Sequence, residues 1–261
     1  MDRYPLVLIG TDGSADATAA VRIGGRVAAR SGVPVKVITV GDDEGERDGA
    51  WRTATLADAE AILAELGVAD VSLEGVVGSS RDILLARADA EPDSLVVVGS
   101  AGLSRATSRL VASTSNRLAH HSRADVLFAK DPVPSMWNSV ALATDGSASS
   151  HQAVRRGLRL AVALGAKGRL ITVAKTSEAG SDVLESTCQA LGLDALDLKI
   201  EREVLIESQP GSAIIAAGWK YQVVAVGNRA MSGPERLLGS VTNKVSHGLK
   251  TNLLLVNTTP G

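Results

Sequence analysis

Aromatic side chains are scarce in this chain, at 2% of 261 residues, and neither sign of charge dominates, with a formal net charge of -2. Too few rings are present to build base-stacking platforms, and there is no basic footprint for a polyanion, so nucleic acid is not an expected partner. Cysteine is reduced to Cys188 alone. An intramolecular disulfide and a cysteine metal cluster are thereby excluded, and a reducing compartment, the cytoplasm, is the expectation. No apolar run approaches the length of a membrane span, so no membrane partner is expected. The N-terminal MDRYPLVLIGTDGS carries an acidic residue at once and an apolar run too short for a secretory core. Also missing are Gly-x4-Gly-Lys-(Ser/Thr), Gly-x-Gly-x-x-Gly and Ser-Gly-Gly-x-Asp-Ser, together with any persuasive nucleophile and base pair; an enzyme is not expected.

What is present is ample apolar material, 45% of residues against 21% charged, in a chain about twice a common domain size. Two globular domains are expected. The most informative stretch is LVVVGSAGLSRATSRLVASTSNR, from Leu95 to Arg117. Leu95 to Val98 reads as a buried strand ending at Gly99 and Gly102, where a backbone without Cβ atoms can turn tightly and approach a ligand. Arg105 and Arg109 follow. Ser113, Thr114, Ser115 and Asn116 then offer caps for a helix whose N-terminal amides and dipole favour an anion. A phosphorylated ligand suits this layout, although any β-to-α corner also uses glycine and serine.

In chain order, Leu6 to Gly10 is a strand ending in Thr11-Asp12-Gly13-Ser14, and Ala17, Ala20, Val21, Gly24, Val27 and Ala28 recur at helical spacing behind Ser14 as N-cap. Val35 to Val40 is a second strand, and the polar loop from Gly41 to Gly49 is expected to be mobile. Leu56, Ala59, Ile62, Leu63 and Leu66 mark a helix stopped by Gly67; Val71 to Val77, Arg81 to Ala90 and Asp125 to Lys130 complete strand three, helix three and strand five. Residues 1–131 thus form a βαβαβαβαβ domain, 132–135 a proline-punctuated linker, and 136–261 a second domain. In the latter, Thr144-Asp145-Gly146-Ser147 copies residues 11–14 at a displacement of 133. Val140 to Ala143, a helix through Ala153, Val154, Gly157, Leu158, Ala161 and Leu164, Leu170 to Val173, and Asn252 to Asn257 repeat the elements. Val223 onward, VVAVGNRAMSGPERLLGSVTNK, repeats the glycine stretch with Gly227, Gly239, Ser240, Thr242 and Asn243.

Alternating strands and amphipathic helices imply two tandem doubly wound parallel five-stranded sheets, an α/β Rossmann-like class, with ligands beyond the carboxyl ends at the switch point. The Asp12 and Gly99 turns fall there. Asp12 is equally suited to bonding its own backbone. His120, His121 and His247 fall near helix C-termini and read as structural, with no metal expected. Cys188 falls on a helical face with Val183, Leu184, Thr187 and Leu191, and Trp51, Trp137 and Trp219 are expected to anchor packing.

These residues carry a family resemblance. A first strand ending in Asp-Gly-Ser, a fourth ending in Gly-x-x-Gly, and a Gly-Ser about ten residues on resemble the universal stress protein family, in tandem. Its ATP-binding branch carries Gly-x2-Gly-x9-Gly-(Ser/Thr); here Gly99-x2-Gly102-x9 leads to Ala112-Ser113, and Gly227-x2-Ala230 to Gly239-Ser240 after a loop one shorter. The resemblance implies an adenine nucleotide alpha hydrolase-like fold, phosphates on the two glycine loops, Asp12 and Asp145 near the ribose, and the backbone at Val40 and Val173 near adenine. By charge alone, Arg229 and Lys244 are available to help neutralise a phosphate beside Ala230. The resemblance also implies ATP, with Mg2+ an option and ADP, AMP or a cyclic nucleotide left open, and a stress sensor or regulator with at most slow hydrolysis; the alternative is a nucleotide-free scaffold acting through a protein partner. The first half, with its close glycine pair, is expected to be the stronger site. The resemblance further implies pairing of the halves as an internal pseudo-dimer, and leaves open a homodimer.

Overall fold

The computed structural model describes residues 3–101, 103, 113–196, 198–228 and 238–258. The chain divides into two compact units, Met1–Val133 and Pro134–Gly261. In the first unit β1 (Val7–Gly10), α1 (Ala15–Ser31), β2 (Val35–Gly41), α2 (Gly49–Glu65), β3 (Val71–Val77), α3 (Ser80–Ala90), β4 (Leu95–Gly99), α4 (Thr114–His121) and β5 (Asp125–Ala129) alternate strictly. The strands order as β3-β2-β1-β4-β5, every pairing parallel, with Val7 level with both Val35 and Leu95. The second unit repeats this with β6 (Ser139–Ala143), α5 (Ala148–Leu164), β7 (Lys167–Ala174), α6 (Ser177–Leu191), β8 (Ile200–Ile206), α7 (Pro210–Ala217), β9 (Val223–Asn228), α8 (Ser240–Gly248) and β10 (Asn252–Asn257), ordered β8-β7-β6-β9-β10.

Local chemistry sets the element ends. Ser14 Oγ accepts from Ala17 N–H and caps α1, whose far end stops at Gly32 with φ 64°. Ser147 does the same for α5, which ends at Gly165 with φ 73°. Helix-to-sheet distance is set by glycine. A Cβ on Gly24 of α1 would lie 2.8 Å from Ile9 Cδ1, and one on Gly157 of α5 2.5 Å from Leu142 Cδ2. Both helices therefore lie against their first strand with an aliphatic side chain filling the glycine notch. Ile9 meets α1, while the next residue, Gly10, faces Leu84 of α3, so α1 and α3 cover opposite faces.

One expectation needs correction. Trp219 is 80% exposed and anchors nothing, because it sits on a short turn between α7 and β9. Trp137, by contrast, is buried. In the segment after β2, Asp42 N–H donates to Arg47 O at 2.9 Å, and Arg52 Nη1 donates to Asp42 O at 2.5 Å. Cys188, with Leu184 and Thr187, occupies the buried face of α6, and burial pushes its thiol up.

On the β7–β8 face, Glu203 accepts from Lys220 Nζ at 2.7 Å, Tyr221 Oη at 2.9 Å and Arg169 Nη1 at 3.1 Å, while Arg169 also pairs with Glu201. Burial alone would raise the Glu203 carboxyl; the three bonds outweigh it and hold it below the usual carboxylate range. A depressed folded pKa contributes stability above the unfolded value of about 4.3, lost as pH falls through the folded value. Glu203→Gln is therefore expected to lower stability by about 1–3 kcal/mol at neutral pH and to flatten the acid limb of a pH-stability curve, read by denaturant melts of both proteins.

Candidate functional site

In the first unit β1 lies between β2 and β4, and the chain leaves β1 and β4 toward opposite faces, so their carboxyl ends bound a switch-point crevice. A cleft of about 610 Å³ occupies it, lined among others by Thr11, Asp12, Val40, Gly99, Ser113, Thr114 and Ser115. Asp12 Oδ1 accepts from Ser14 N–H at 3.1 Å, and Gly13 takes φ 72°, the left-handed region that a Cβ disfavours. The Asx turn and the cleft-facing carboxylate are thus the same residue: one oxygen holds the turn, and Oδ2 lies 3.6 Å from Arg47 Nη2. Ile38, Val40, Leu84 and Val98 supply an apolar lining.

Opposite, Ser113 caps α4 by accepting from Asn116 N–H at 3.1 Å, and the Thr114 hydroxyl pairs with Ser80 at 2.9 Å. Ser115 donates to the Gly99 carbonyl at 2.8 Å, which ties the start of α4 to the end of β4. Its hydroxyl proton is thereby used within the scaffold, and Ser113 to Ser115 at the start of α4 line the cleft. Gly99 is demanded by α1: a Cβ there would lie 3.0 Å from Ala17 N and from Asp16 Cβ. Asp16 also lines the cleft, but both its oxygens are engaged, by Ser100 Oγ at 2.9 Å and Asp131 N–H at 3.0 Å.

The second unit builds a cleft of about 380 Å³ at the corresponding place, lined by Asp145, Val173, Gly227, Gly239, Ser240 and Thr242 with others. Asp145 Oδ1 accepts from Ser147 N–H at 3.0 Å, Gly146 takes φ 81°, and Thr242 donates to the Gly227 carbonyl at 2.8 Å, each matching the first unit. The lining chemistry differs. Pro210 and Val241 stand where the first cleft has Ser80 and Thr114, and α8 begins behind Gly239 with no side-chain cap. Gly102, Arg105, Arg109, Ala112, Arg229 and Ala230 lie outside the described residues.

Arg47, Ser80 and Leu84 were not among the sequence candidates. Parallel topology held the signal for Arg47: β2 ends at the same edge as β1 and β4, so the loop after it must border the same crevice. Ser80 is the first residue of α3, and Ser79 is its N-cap.

The universal stress protein family model matches residues 3–130 and again 136–257. A universal stress protein from Archaeoglobus fulgidus DSM 4304 superposes with a TM-score of 0.70 at 18% identity, covering 99% of this chain and 100% of its own. A functionally unknown protein from Pseudomonas aeruginosa PAO1 gives 0.66 at 17%, covering 97% and 92%. A universal stress protein solved in complex with cAMP is 32% identical over 49% of this chain and 98% of its own, with a TM-score of 0.44. No curated protein matches. Two successive family matches, falling one on each unit, establish that the chain belongs to the universal stress protein family, with two family domains in tandem.

Proposed function

We propose that the first unit binds an adenine nucleotide, ATP with Mg2+ in the leading case, and that occupancy makes the protein a stress-response sensor or regulator. The observation that carries this reading is the convergence, in one cleft, of a carboxylate with a free oxygen (Asp12), an apolar end (Ile38, Val40, Leu84) and a helix start (Ser113 to Ser115). These suit a ribose hydroxyl, a purine and phosphates in turn. Mg2+ would be held chiefly by the phosphates, with Asp12 and Asp16 the carboxylates that line the cleft among the described residues. Among the described residues no histidine lines the cleft, and the proposed role is nucleotide binding, with at most slow hydrolysis. The smaller, more apolar second cleft is read as the weaker nucleotide site.

A ligand at about 100 times its dissociation constant stabilises a fold by about 2.7 kcal/mol, which thermal melts with and without ATP and Mg2+ would register. Asp12→Ala should weaken ATP about tenfold, equivalent to about 1.4 kcal/mol, whereas Asp145→Ala should leave the principal shift in place. An equal loss from both variants would remove the preference for the first cleft. No shift in the parent protein would favour the nucleotide-free scaffold.

A further inference from the structure

Arg47 is placed by construction. The carbonyl of Arg47 folds back onto the end of β2 so closely that a Cβ on Gly41 would lie 2.1 Å from it, and Asp42 N–H donates to that carbonyl at 2.9 Å. Arg52 secures the segment from below, donating to Asp42 O and, at 3.4 Å, to Arg47 O. The guanidinium carbon stands 5.3 Å from the ring centroid of Trp51, within the range of a cation–π contact, and Nη2 stands 3.6 Å from Asp12 Oδ2. That separation is an ion pair but not a hydrogen bond, and among the described residues the guanidinium makes none. A planar cation with uncommitted donors therefore borders the cleft beside the one carboxylate that offers it a free oxygen.

An unaccompanied carboxylate at a ribose accepts a hydroxyl and repels a phosphate on that hydroxyl; an arginine beside it reverses the preference, because its fork binds phosphate oxygens in pairs. We propose that Arg47 is a specificity-determining residue, making the first cleft prefer adenine nucleotides that carry a phosphate ester on a ribose 2′- or 3′-oxygen in addition to the 5′-phosphate. The inference rests on the nucleotide reading of this cleft. Arg47 offsets the Asp12 charge that would otherwise face an incoming phosphate, while both oxygens of the Asp16 carboxylate accept bonds, from Ser100 and the Asp131 amide. Among the described residues the second cleft has no counterpart of Arg47. Residues 175–176 alone join β7 to α6, and the basic residue there, Lys175, does not line the cleft.

Titration calorimetry with adenosine 3′,5′-bisphosphate, adenosine 2′,5′-bisphosphate and 5′-AMP, on the parent and on Arg47→Gln and Arg47→Lys, tests this. The parent should bind one of the bisphosphates about 10- to 100-fold more tightly than 5′-AMP. Arg47→Gln should bring that ratio toward one, and Arg47→Lys should leave an intermediate ratio, with melts in the absence of ligand showing that both variants fold. A ratio near one in the parent, or the same ratio in Arg47→Gln as in the parent, overturns the inference and leaves the nucleotide reading standing. Failure of every nucleotide, ATP included, removes both.

Discussion

A Leu142→Ala variant is expected to lose about 2–5 kcal/mol of stability in the second unit, the largest effect of any single change considered, and to recover part of it when Gly157→Ala is added. Leu142 is fully buried on β6, and its Cδ2 occupies the space in which a Cβ on Gly157 would lie, at 2.5 Å; Ala225 Cβ is 2.9 Å away on the other side. Truncating Leu142 empties the notch, and neighbouring side chains can refill it only by letting α5 shift on the sheet. Gly157→Ala alone overfills the same notch and should cost about 1–3 kcal/mol. Together the new methyl takes up part of the vacated volume, so the double variant should be more stable than the sum of the two losses implies. Denaturant melts followed by hydrogen exchange in β6 and α5 read the cycle. Strict additivity would mean that the two side chains do not share one space.

Gly41→Ala is expected to have the largest effect on the first cleft. The added Cβ would sit 2.1 Å from the Arg47 carbonyl, a backbone atom that can yield only if residues 42–48 move together. The Asp42–Arg47 backbone bond would break, and the guanidinium would leave both Trp51 and Asp12. A stability loss of about 1–3 kcal/mol is expected, with changed Trp51 emission and new protease cleavage inside the loop. In the second unit the corresponding final residue of the strand is already an alanine, Ala174, followed by a connection of residues 175–176 alone to α6. Unchanged Trp51 emission and an intact loop in Gly41→Ala would show that the segment is not braced at this position.

Much of this architecture is legible in the residues because local rules and the tertiary structure agree. The strand predicted over Asn252 to Asn257 is β10, the capping roles of Ser14 and Ser113 hold, and Gly67 takes φ 74° just past α2. Duplication made the elements easier to read, since the Thr-Asp-Gly-Ser copies mark the same turn in each unit.

What escaped reading depends on approach in space. Nothing local distinguishes Gly41 from an ordinary loop glycine; its necessity comes from a carbonyl six residues on. Glycine and polar residues mark the segment after β2 as a loop, but the backbone and arginine hydrogen bonds across its ends are not legible in them. Ser115 and Thr242 line their clefts as the sequence suggests, and each hydroxyl also donates to a strand carbonyl, Gly99 or Gly227, a tie that sequence alone does not show. Trp219, whose ring would ordinarily pack, is carried into solvent by the turn before β9. The inequality of the clefts is likewise visible only when Ser80 meets Thr114 across α3 and α4, and Pro210 and Val241 line the second cleft.

Whether the first cleft holds an adenine nucleotide is tested most directly by isothermal titration of the purified, nucleotide-stripped protein with ATP and Mg2+. Saturable heat is expected, with a principal site that Asp12→Ala weakens about tenfold while Asp145→Ala leaves it. Absence of heat at any attainable concentration, together with an unshifted melt, would contradict nucleotide binding in this cleft.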